Sequence, residues 1–206
     1  MIAVVDYNAG NLGSVKKALD YIGAQSVITS SAREIERADG VIFPGVGSFG
    51  EAVDSLRNAC LFSAVKEAAG GQKPFLGICL GLQMLFVNSD ESPQAEGLGV
   101  LEGEIRKIPS DTGLKVPHMG WNSIRILKRD GIFRDIPEDS YVYFVHSYYL
   151  QARNSWQVAA RTEYGVAIDA AVSDGLLFAT QFHPEKSGEV GLQILRNFNE
   201  IVRGGN

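Results

Sequence analysis

The pattern G-x-C-x-G at residues 77–81 is the feature that most restricts how this chain folds. It follows an apolar run at residues 74–78 and opens a segment of helical periodicity at residues 81–87. In a strand-to-helix turn of the nucleophile-elbow type, glycines flank a reactive side chain because the strained backbone leaves no room beside it. The sequence therefore predicts a strand that leads into Cys79, followed by a helix whose N-terminal amides point toward the sulfur.

Apolar runs alternate with helix-period segments through the first half of the chain, which is typical of a parallel sheet covered by helices on both faces. Ser31 is the expected N-cap of one helix, with Glu34 three residues later. The full predicted order is strand 2–6, helix 12–22, strand 26–29, the capped helix, strand 40–44, a long helix 49–69, strand 74–78 and helix 81–87.

The second half has a different texture and predicts strands joined by turns. They are expected at residues 99–108, 121–127, 141–150, 156–161, 167–173 and 176–182, before a closing helix at residues 190–202. Asp174 and Gly175 form a strong hairpin signal between the last two strands. We therefore expect a single α/β domain over residues 1–206, with a mostly parallel twisted sheet and antiparallel edge strands from the second half.

Charge and composition exclude several classes of protein. The formal net charge is −5 and no Lys/Arg cluster is present, which argues against a nucleic-acid partner. No apolar stretch approaches the length of a membrane span, and the first residues resemble a strand and not a signal peptide. Two cysteines make no disulfide framework, so a reducing, cytoplasmic setting without membrane association is expected.

His183 and Glu185 end an apolar run far downstream of Cys79. In an extended segment their side chains would point the same way, and Pro184 between them keeps His183 extended. The carboxylate would then hold one imidazole nitrogen while the other faces the thiol. Taken alone, this sequence fits a solvated strand end with an ion pair equally well, but its pairing with the elbow favours catalysis. Cys60 lies inside the predicted helix 49–69, where a packed core thiol is expected.

The sequence PGVGSFG at residues 44–50 is a glycine loop between a predicted strand and a predicted helix, a place where backbone amides bind negative charge. In acyl transfer, the backbone of residues 45–47 would form an oxyanion hole. A phosphate loop and a plain tight turn are the alternatives, although the Lys-Ser/Thr ending of a P-loop is missing. Val46 between two glycines also allows the peptide planes to reorient, which would make the site switchable.

Metal binding is not expected. The three histidines, His118, His146 and His183, have no partner at structural-zinc spacing.

These motifs resemble those of the class I (triad) glutamine amidotransferases. The resemblance implies a flavodoxin-like α/β core and hydrolysis of L-glutamine through a glutamyl thioester, with no cofactor. Cys79 would be the nucleophile, His183 the general acid/base and Glu185 the orienting carboxylate. The resemblance further implies that the oxyanion hole and glutamine pocket comprise Gly45, Val46, Gly47, Leu80, Gln83, Ser147 and Tyr148.

Four stretches narrow the resemblance to the glutaminase subunits of imidazole glycerol phosphate synthases. They are DYNAGNLGSV (6–15), PHMGWN (117–122), YFVHSYY (143–149) and QFHPEKS (181–187). The resemblance implies a heterodimer with a (βα)8-barrel cyclase subunit, which would receive the ammonia and act in histidine biosynthesis. The expected interface residues are Asn11, His118, Met119, Trp121 and Asn122. Trp121 fits this independently, because tryptophans anchor interfaces, although a core position was equally open.

Other functions remain open from the sequence. The chain could serve a sister amidotransferase of the anthranilate or aminodeoxychorismate synthase type, act alone as a cysteine hydrolase, or be a catalytically silent scaffold. The compact length disfavours the hydrolase, and the intact set of Cys79, His183 and Glu185 disfavours the scaffold.

Overall fold

The structure, a computed structural model, describes residues 1–204. Its strands are β1 (Ile2–Val5), β2 (Ser26–Thr29), β3 (Gly40–Gly45), β4 (Phe75–Cys79), β5 (Asn88–Ser89), β6 (Gly103–Lys107), β7 (His118–Ile126), β8 (Ser140–His146), β9 (Tyr148–Ala152), β10 (Val158–Glu163), β11 (Ala167–Asp174) and β12 (Leu177–Thr180). Its helices are α1 (Leu12–Tyr21), α2 (Ala32–Arg37), α3 (Phe49–Asn58), α4 (Phe62–Gly70), α5 (Leu80–Gln83) and α6 (Gly188–Val202).

The expected α/β architecture is confirmed. A nine-stranded sheet runs in the order β2-β1-β3-β4-β12-β11-β10-β7-β8. The strands from β2 to β12 pair in parallel, and those from β12 to β8 pair antiparallel. A second sheet, β5-β6-β9, stands apart from it. The parallel half gathers several strand C-termini at one edge, which is where open α/β sheets carry their sites.

Two hydrophobic cores lie on opposite faces of the large sheet, because successive residues of a strand point to opposite sides. Ile42 and Leu76 belong to the core that α1 and α6 cover. Their neighbours Phe43 and Phe75 belong to the core that α2, α3, α4 and the small sheet cover. The predicted burial of both faces is therefore confirmed.

The long helix predicted at residues 49–69 is wrong, since two helices occupy this stretch. Cys60 has φ +57, and the N–H groups of Cys60 and Leu61 bond back to the carbonyls of Arg57 and Leu56. This is the Schellman arrangement that ends a helix, usually with glycine at the left-handed position. Cys60 is exposed there, so the expectation of a packed core thiol is also wrong.

Three further boundaries differ from the sequence expectation because of long-range pairing. The helix after the elbow stops at Gln83, where the N–H groups of Leu85 and Phe86 bond to carbonyls only three residues back. The carbonyls of Met84 and Leu85 then accept hydrogen bonds from Leu98 and Val100. The strand expected over 99–108 is confined to β6. The strand expected over 141–150 is broken at Ser147, where the chain leaves the large sheet at β8 and joins the small sheet as β9.

Two local signals are confirmed. The N–H of Glu34 donates to Ser31 Oγ at 3.4 Å, as a helix cap does. Asp174 pairs with Leu177 across a tight turn in which Gly175 has φ +59. In the described range, no helix combines the length and the apolar character that crossing a membrane requires.

Gly40 tests how tightly the terminal helix packs on the sheet. A Cβ at Gly40 would lie 2.4 Å from Cγ2 of Val202 and 3.1 Å from its Cγ1. We expect Gly40→Ala to lower the free energy of unfolding by about 2 kcal/mol through overpacking. Adding Val202→Ala removes both clashing methyl groups and should restore most of the loss. Urea unfolding measures both variants.

Gly13→Ala is the matched control for that pair, because no atom outside the sequence neighbours and the backbone of the same helix lies within 4 Å of the added Cβ. It should leave stability unchanged or raise it by up to about 1 kcal/mol, since alanine favours helix over glycine. Losses that simply add in the Gly40→Ala/Val202→Ala double variant would contradict the proposed clash.

Candidate active site

Cys79 lies at the end of β4 in a sharp turn with φ +55 and ψ −107. A Cβ at Gly81 would lie 1.9 Å from the carbonyl oxygen of Phe43, and one at Gly77 would lie 2.9 Å from the carbonyl oxygen of Gly81. Both neighbours of the turn must therefore be glycine. The elbow geometry that the sequence predicts is present, with the sulfur at the C-terminal edge of the sheet.

The structure brings His183 and Glu185 together beside Cys79. His183 Nδ1 lies 2.8 Å from Glu185 Oε1, and both side chains are buried. The expectation of one extended segment is wrong for Glu185, because Pro184–Lys186 forms a single 3-10 turn that only His183 precedes in an extended conformation. The turn nevertheless folds the carboxylate back onto the ring.

The protonation of His183 is set by opposing effects. Burial lowers its pKa, but the interactions with Cys79 and Glu185 outweigh burial and raise the pKa above its ordinary value. With Nδ1–H donated to Glu185, a neutral ring leaves its Nε2 lone pair free to accept a proton. The trio can therefore move a proton from a thiol to an imidazole and hold the imidazolium that results.

His183 is also tied to the neighbouring strand. Its N–H donates to the carbonyl of Tyr143 at 3.0 Å, and the N–H of Tyr143 donates to Ser187 Oγ at 3.0 Å. Ser187 Oγ in turn donates to the carbonyl of His183 at 2.6 Å. This clamp fixes the His183–Ser187 turn against the middle of β8.

The glycine loop of residues 45–47 adjoins the elbow, since Gly45 pairs with Cys79. A Cβ at Gly45 would lie 2.6 Å from Tyr7 Oη and 2.9 Å from Leu80 Cβ, so Gly45 is packed in place. Gly47, by contrast, has φ +101 and open space around it. The reorientation of the loop stays a prediction, and the packing of Gly45 leaves only Val46 and Gly47 to take part in it.

The helix that follows this loop does not offer its first amides to an anion. The N–H of Phe49 donates to Glu91 Oε2 at 2.7 Å, and the N–H of Gly50 donates to Ser92 Oγ at 3.1 Å. A carboxylate of the chain itself already occupies this helix terminus, so the phosphate-loop alternative is disfavoured. Val46 and Gly47 are the residues of the loop that line the pocket.

A pocket of about 350 Å³ opens above the sulfur. Its lining includes most of the residues predicted for catalysis and glutamine binding: Val46, Gly47, Cys79, Leu80, Gln83, Ser147, Tyr148 and His183. Gly45 and Glu185 support it without lining it. The lining also includes residues that the sequence did not single out as part of the site, namely Glu91, Pro117, Val145 and His146. Tyr7, which the sequence also did not single out, lies near Cys79 without lining the pocket: burial and then the charge of Cys79 raise the pKa of Tyr7.

Of the residues predicted for an interface, the structure exposes some and buries His118. Met119 and Trp121 are 62% and 55% exposed on β7, and Tyr141 on β8 is exposed beside them. Asn11 and Asn122 are partly exposed. The prediction for His118 is wrong as far as its side chain is concerned, because the ring is buried between Phe144 and Tyr164, with centroids 4.7 and 3.9 Å away.

Groups of three or more His, Cys, Asp or Glu side chains arranged to hold a metal ion are not found within residues 1–204. The pocket is lined by a thiol, two imidazoles, a carboxylate, a side-chain amide, two hydroxyl groups and apolar side chains.

Comparison with known proteins identifies a family model that matches residues 3–201, that of the class-I glutamine amidotransferases. Among similar proteins is the imidazole glycerol phosphate synthase subunit HisH of Moorella thermoacetica, 48% identical over 98% of this chain and 95% of that protein. Proteins of the same name from Bacillus cereus and Listeria monocytogenes are 47% and 43% identical, with similar coverage.

Solved structures agree on the fold. A glutamine amidotransferase superposes with a TM-score of 0.75 at 18% identity, covering 99% of this chain and all of that one. The structure of PurLQS from Thermotoga maritima gives a TM-score of 0.73 at 20% identity, with 97% of both chains covered.

The buried histidines next to the site predict a pH-dependent stability. Burial lowers the pKa of His118 to about 4. The pKa of His146 is lowered to about 3, and burial is again the main cause. Both would titrate near ~6.5 when unfolded, so the unfolded chain binds up to two more protons below that pH. The free energy of unfolding should therefore fall as the pH falls from about 6.5 to about 5, by roughly 1.4 kcal/mol per pH unit and proton. Urea unfolding across this range measures the slope.

His118→Phe is the informative variant for this slope. It keeps an aromatic ring in the stack and removes one of the two titrating groups, so the slope should fall by about half. His183 adds no slope in this window, because its raised pKa places its contribution at higher pH. A stability that does not change between about pH 6.5 and about pH 5 would contradict the lowered pKa values.

Proposed function

Because the chain belongs to the class-I glutamine amidotransferase family, we propose that it is the glutaminase subunit of an imidazole glycerol phosphate synthase. The observation that carries the proposal is the convergence of Cys79, strained at the end of β4, with the buried His183–Glu185 pair over one pocket. The three HisH relatives described above, similar over nearly their full length, support the choice of synthase.

In the proposed reaction, the thiol of Cys79 gives its proton to Nε2 of His183, and the sulfur attacks the side-chain amide carbon of L-glutamine. The carbon–nitrogen bond breaks as His183 returns the proton to the leaving nitrogen, which departs as ammonia and leaves a glutamyl thioester. Water then attacks the thioester, with His183 as general base, and releases glutamate. Glu185 keeps the imidazole oriented throughout.

The oxyanion formed in both steps needs donors that are already in place. The amide of the residue after the nucleophile, Leu80, and an amide of the 46–47 loop lie on the two sides of the sulfur in this type of turn. Gly45 is packed against Tyr7 and Leu80, which holds the base of that loop. We assign the oxyanion site to these backbone groups.

The pocket also has the means to hold the amino-acid end of glutamine. Glu91 lines the pocket and uses Oε2 to accept the N–H of Phe49, which leaves Oε1 available for an ammonium group. Tyr148 is close enough to Glu91 to interact with its charge: burial and then the charge of Glu91 raise the pKa of Tyr148. We assign Glu91 to the α-amino group, and Gln83, Ser147 and Tyr148 to the walls of the pocket.

We further propose that a (βα)8-barrel cyclase subunit docks on the exposed face of β7 and β8 and receives the ammonia, within the cytoplasm. Met119, Trp121 and Tyr141 expose large apolar side chains there, and Trp121 packs edge-on against Tyr143 at 6.1 Å. Lys186 places its ammonium over the ring of Tyr143 at 5.9 Å. Exposed aromatic and charged groups of this kind are typical of interfaces.

Ammonia release from glutamine tests the function. The full chain should release little ammonia alone and much more with a barrel cyclase and its nucleotide acceptor. Cys79→Ser should abolish release in both mixtures while the chain still unfolds at the same urea concentration, because the change replaces only the nucleophilic atom. Full activity alone would favour a stand-alone hydrolase, and activation only by a chorismate-using partner would favour a sister synthase.

Glu91→Gln tests the assignment of the amino-group site. The glutamine side chain introduced at position 91 keeps an oxygen that can accept the N–H of Phe49 but lacks the negative charge of Glu91. We expect KM for glutamine to rise about tenfold or more with kcat within about twofold, as for a lost charged hydrogen bond in binding.

Glu51→Gln is the matched control, since Glu51 accepts from Ser48 at the same helix terminus but outside the pocket. It should leave both constants unchanged. A fall in kcat at constant KM for Glu91→Gln would remove Glu91 from substrate binding.

A further inference from the structure

The backbone carbonyl of Tyr148 accepts two hydrogen bonds beside the pocket. Gln83 Nε2 donates to it at 3.0 Å, and His146 Nδ1 lies 2.9 Å from it. A carbonyl can only accept, so both side chains must present N–H groups to it. The carbonyl of Tyr148 therefore determines which atoms of Gln83 and of His146 are left to bond to their next partners.

One branch leads to the nucleophile. The second N–H of Gln83 Nε2 donates to Gln181 Oε1 at 3.1 Å, which turns the amide of Gln181 so that its nitrogen faces the other way. Gln181 Nε2 lies 3.7 Å from Cys79 Sγ. Gln83 and Gln181 are both buried, and protein groups supply these hydrogen-bond partners. The branch ends with an N–H group, and not a carbonyl, on the sulfur.

The other branch leads to the exposed strand β7. With Nδ1–H donated to Tyr148, a neutral His146 presents the lone pair of Nε2 to His118 Nδ1 at 3.0 Å. His118 then presents its own Nε2 to Asn122 Nδ2 at 3.3 Å. Each ring must be neutral to donate and accept at once, in agreement with the lowered pKa values of both.

The far end of this branch is fixed independently. The N–H of Ser123 donates to Asn122 Oδ1 at 2.9 Å, so the amide nitrogen of Asn122 faces His118, and it also donates to the carbonyl of Glu163 at 3.0 Å. The direction required by backbone groups at this end agrees with the direction required by Tyr148. Asn122 directly follows the exposed Trp121.

We propose that this hydrogen-bond network, in which the branch of His146, His118 and Asn122 and the branch of Gln83 and Gln181 meet at the carbonyl of Tyr148, controls the reactivity of the Cys79 thiol. Gln181 is a further catalytic residue that donates to the sulfur and stabilises its negative charge. His118 and His146 are positioning residues that hold the carbonyl of Tyr148 in place. The inference rests on the proposed role of Cys79, but its test measures the sulfur and not glutamine hydrolysis.

The test is the rate of iodoacetamide alkylation of the full chain, followed by mass spectrometry as a function of pH. The exposed Cys60 in the same molecule is the internal reference. Gln181→Met keeps the volume and removes the donor, and we expect alkylation of Cys79 near neutral pH to slow about tenfold. The midpoint of its pH–rate profile should shift to higher pH, with the rate at Cys60 unchanged.

His118→Phe keeps the stacked ring and breaks the other branch. We expect about threefold slower alkylation of Cys79, and a His118→Phe/Gln181→Met double variant no slower than Gln181→Met alone, because groups in one network are not additive. Gln181→Glu provides a second variant that keeps the acceptor for Gln83 and sets a carboxylate oxygen against the sulfur, and it should be slower still.

Thr180→Val and Tyr164→Phe are the matched controls. Each removes one hydrogen bond that lies near the proposed network but is not part of it. Thr180→Val removes the bond from Thr180 Oγ1 to the carbonyl of Phe182, and Tyr164→Phe removes the bond from Tyr164 Oη to the carbonyl of Lys115. Both should leave the rate at Cys79 unchanged. An unchanged rate in Gln181→Met, or losses that multiply in the double variant, would overturn the proposal. If the alkylation pattern holds in a chain that hydrolyses no glutamine with any partner, the proposal stands and the proposed function fails.

Discussion

The close approach of the elbow to strand β3 is the constraint on which the rest of the site depends. A side chain at Gly81 would enter the carbonyl of Phe43, and one at Gly77 would enter the turn itself. Strands β3 and β4 and the start of α5 are therefore held at a fixed separation, with the 46–47 loop on one side of the sulfur. On the other side, β12 pairs with β4 and delivers His183 just beyond its end.

The parts of the site that the sequence predicts are those in which a few neighbouring residues determine the backbone. The glycines around Cys79 require a sharp turn. His183 and Glu185 are so close in sequence that the turn at Pro184–Lys186 can fold the carboxylate back onto the ring. The break at Cys60 was missed because the left-handed position at that helix end lacks the usual glycine. The wrong expectation that Cys60 is buried follows from the same missed helix end.

The parts that the sequence does not predict depend on residues far apart in the chain. Glu91 reaches the pocket because it caps a helix that begins at Phe49, and no local pattern around either residue records that contact. Ser147 marks the exchange between two sheets, which places the carbonyl of Tyr148 beside Gln83. The motif around His118 is typical of a surface loop, and its burial depends on Phe144 and Tyr164, which are distant in sequence and stack on its ring.

The clamp between Tyr143 and the His183–Ser187 turn has a consequence for solubility. Strand β8 ends the nine-stranded sheet, and an open edge can recruit a strand from another molecule and begin aggregation. At Tyr143, the middle residue of β8, the N–H is taken by Ser187 and the carbonyl by His183. The turn that carries the catalytic imidazole thus also guards the sheet against self-association.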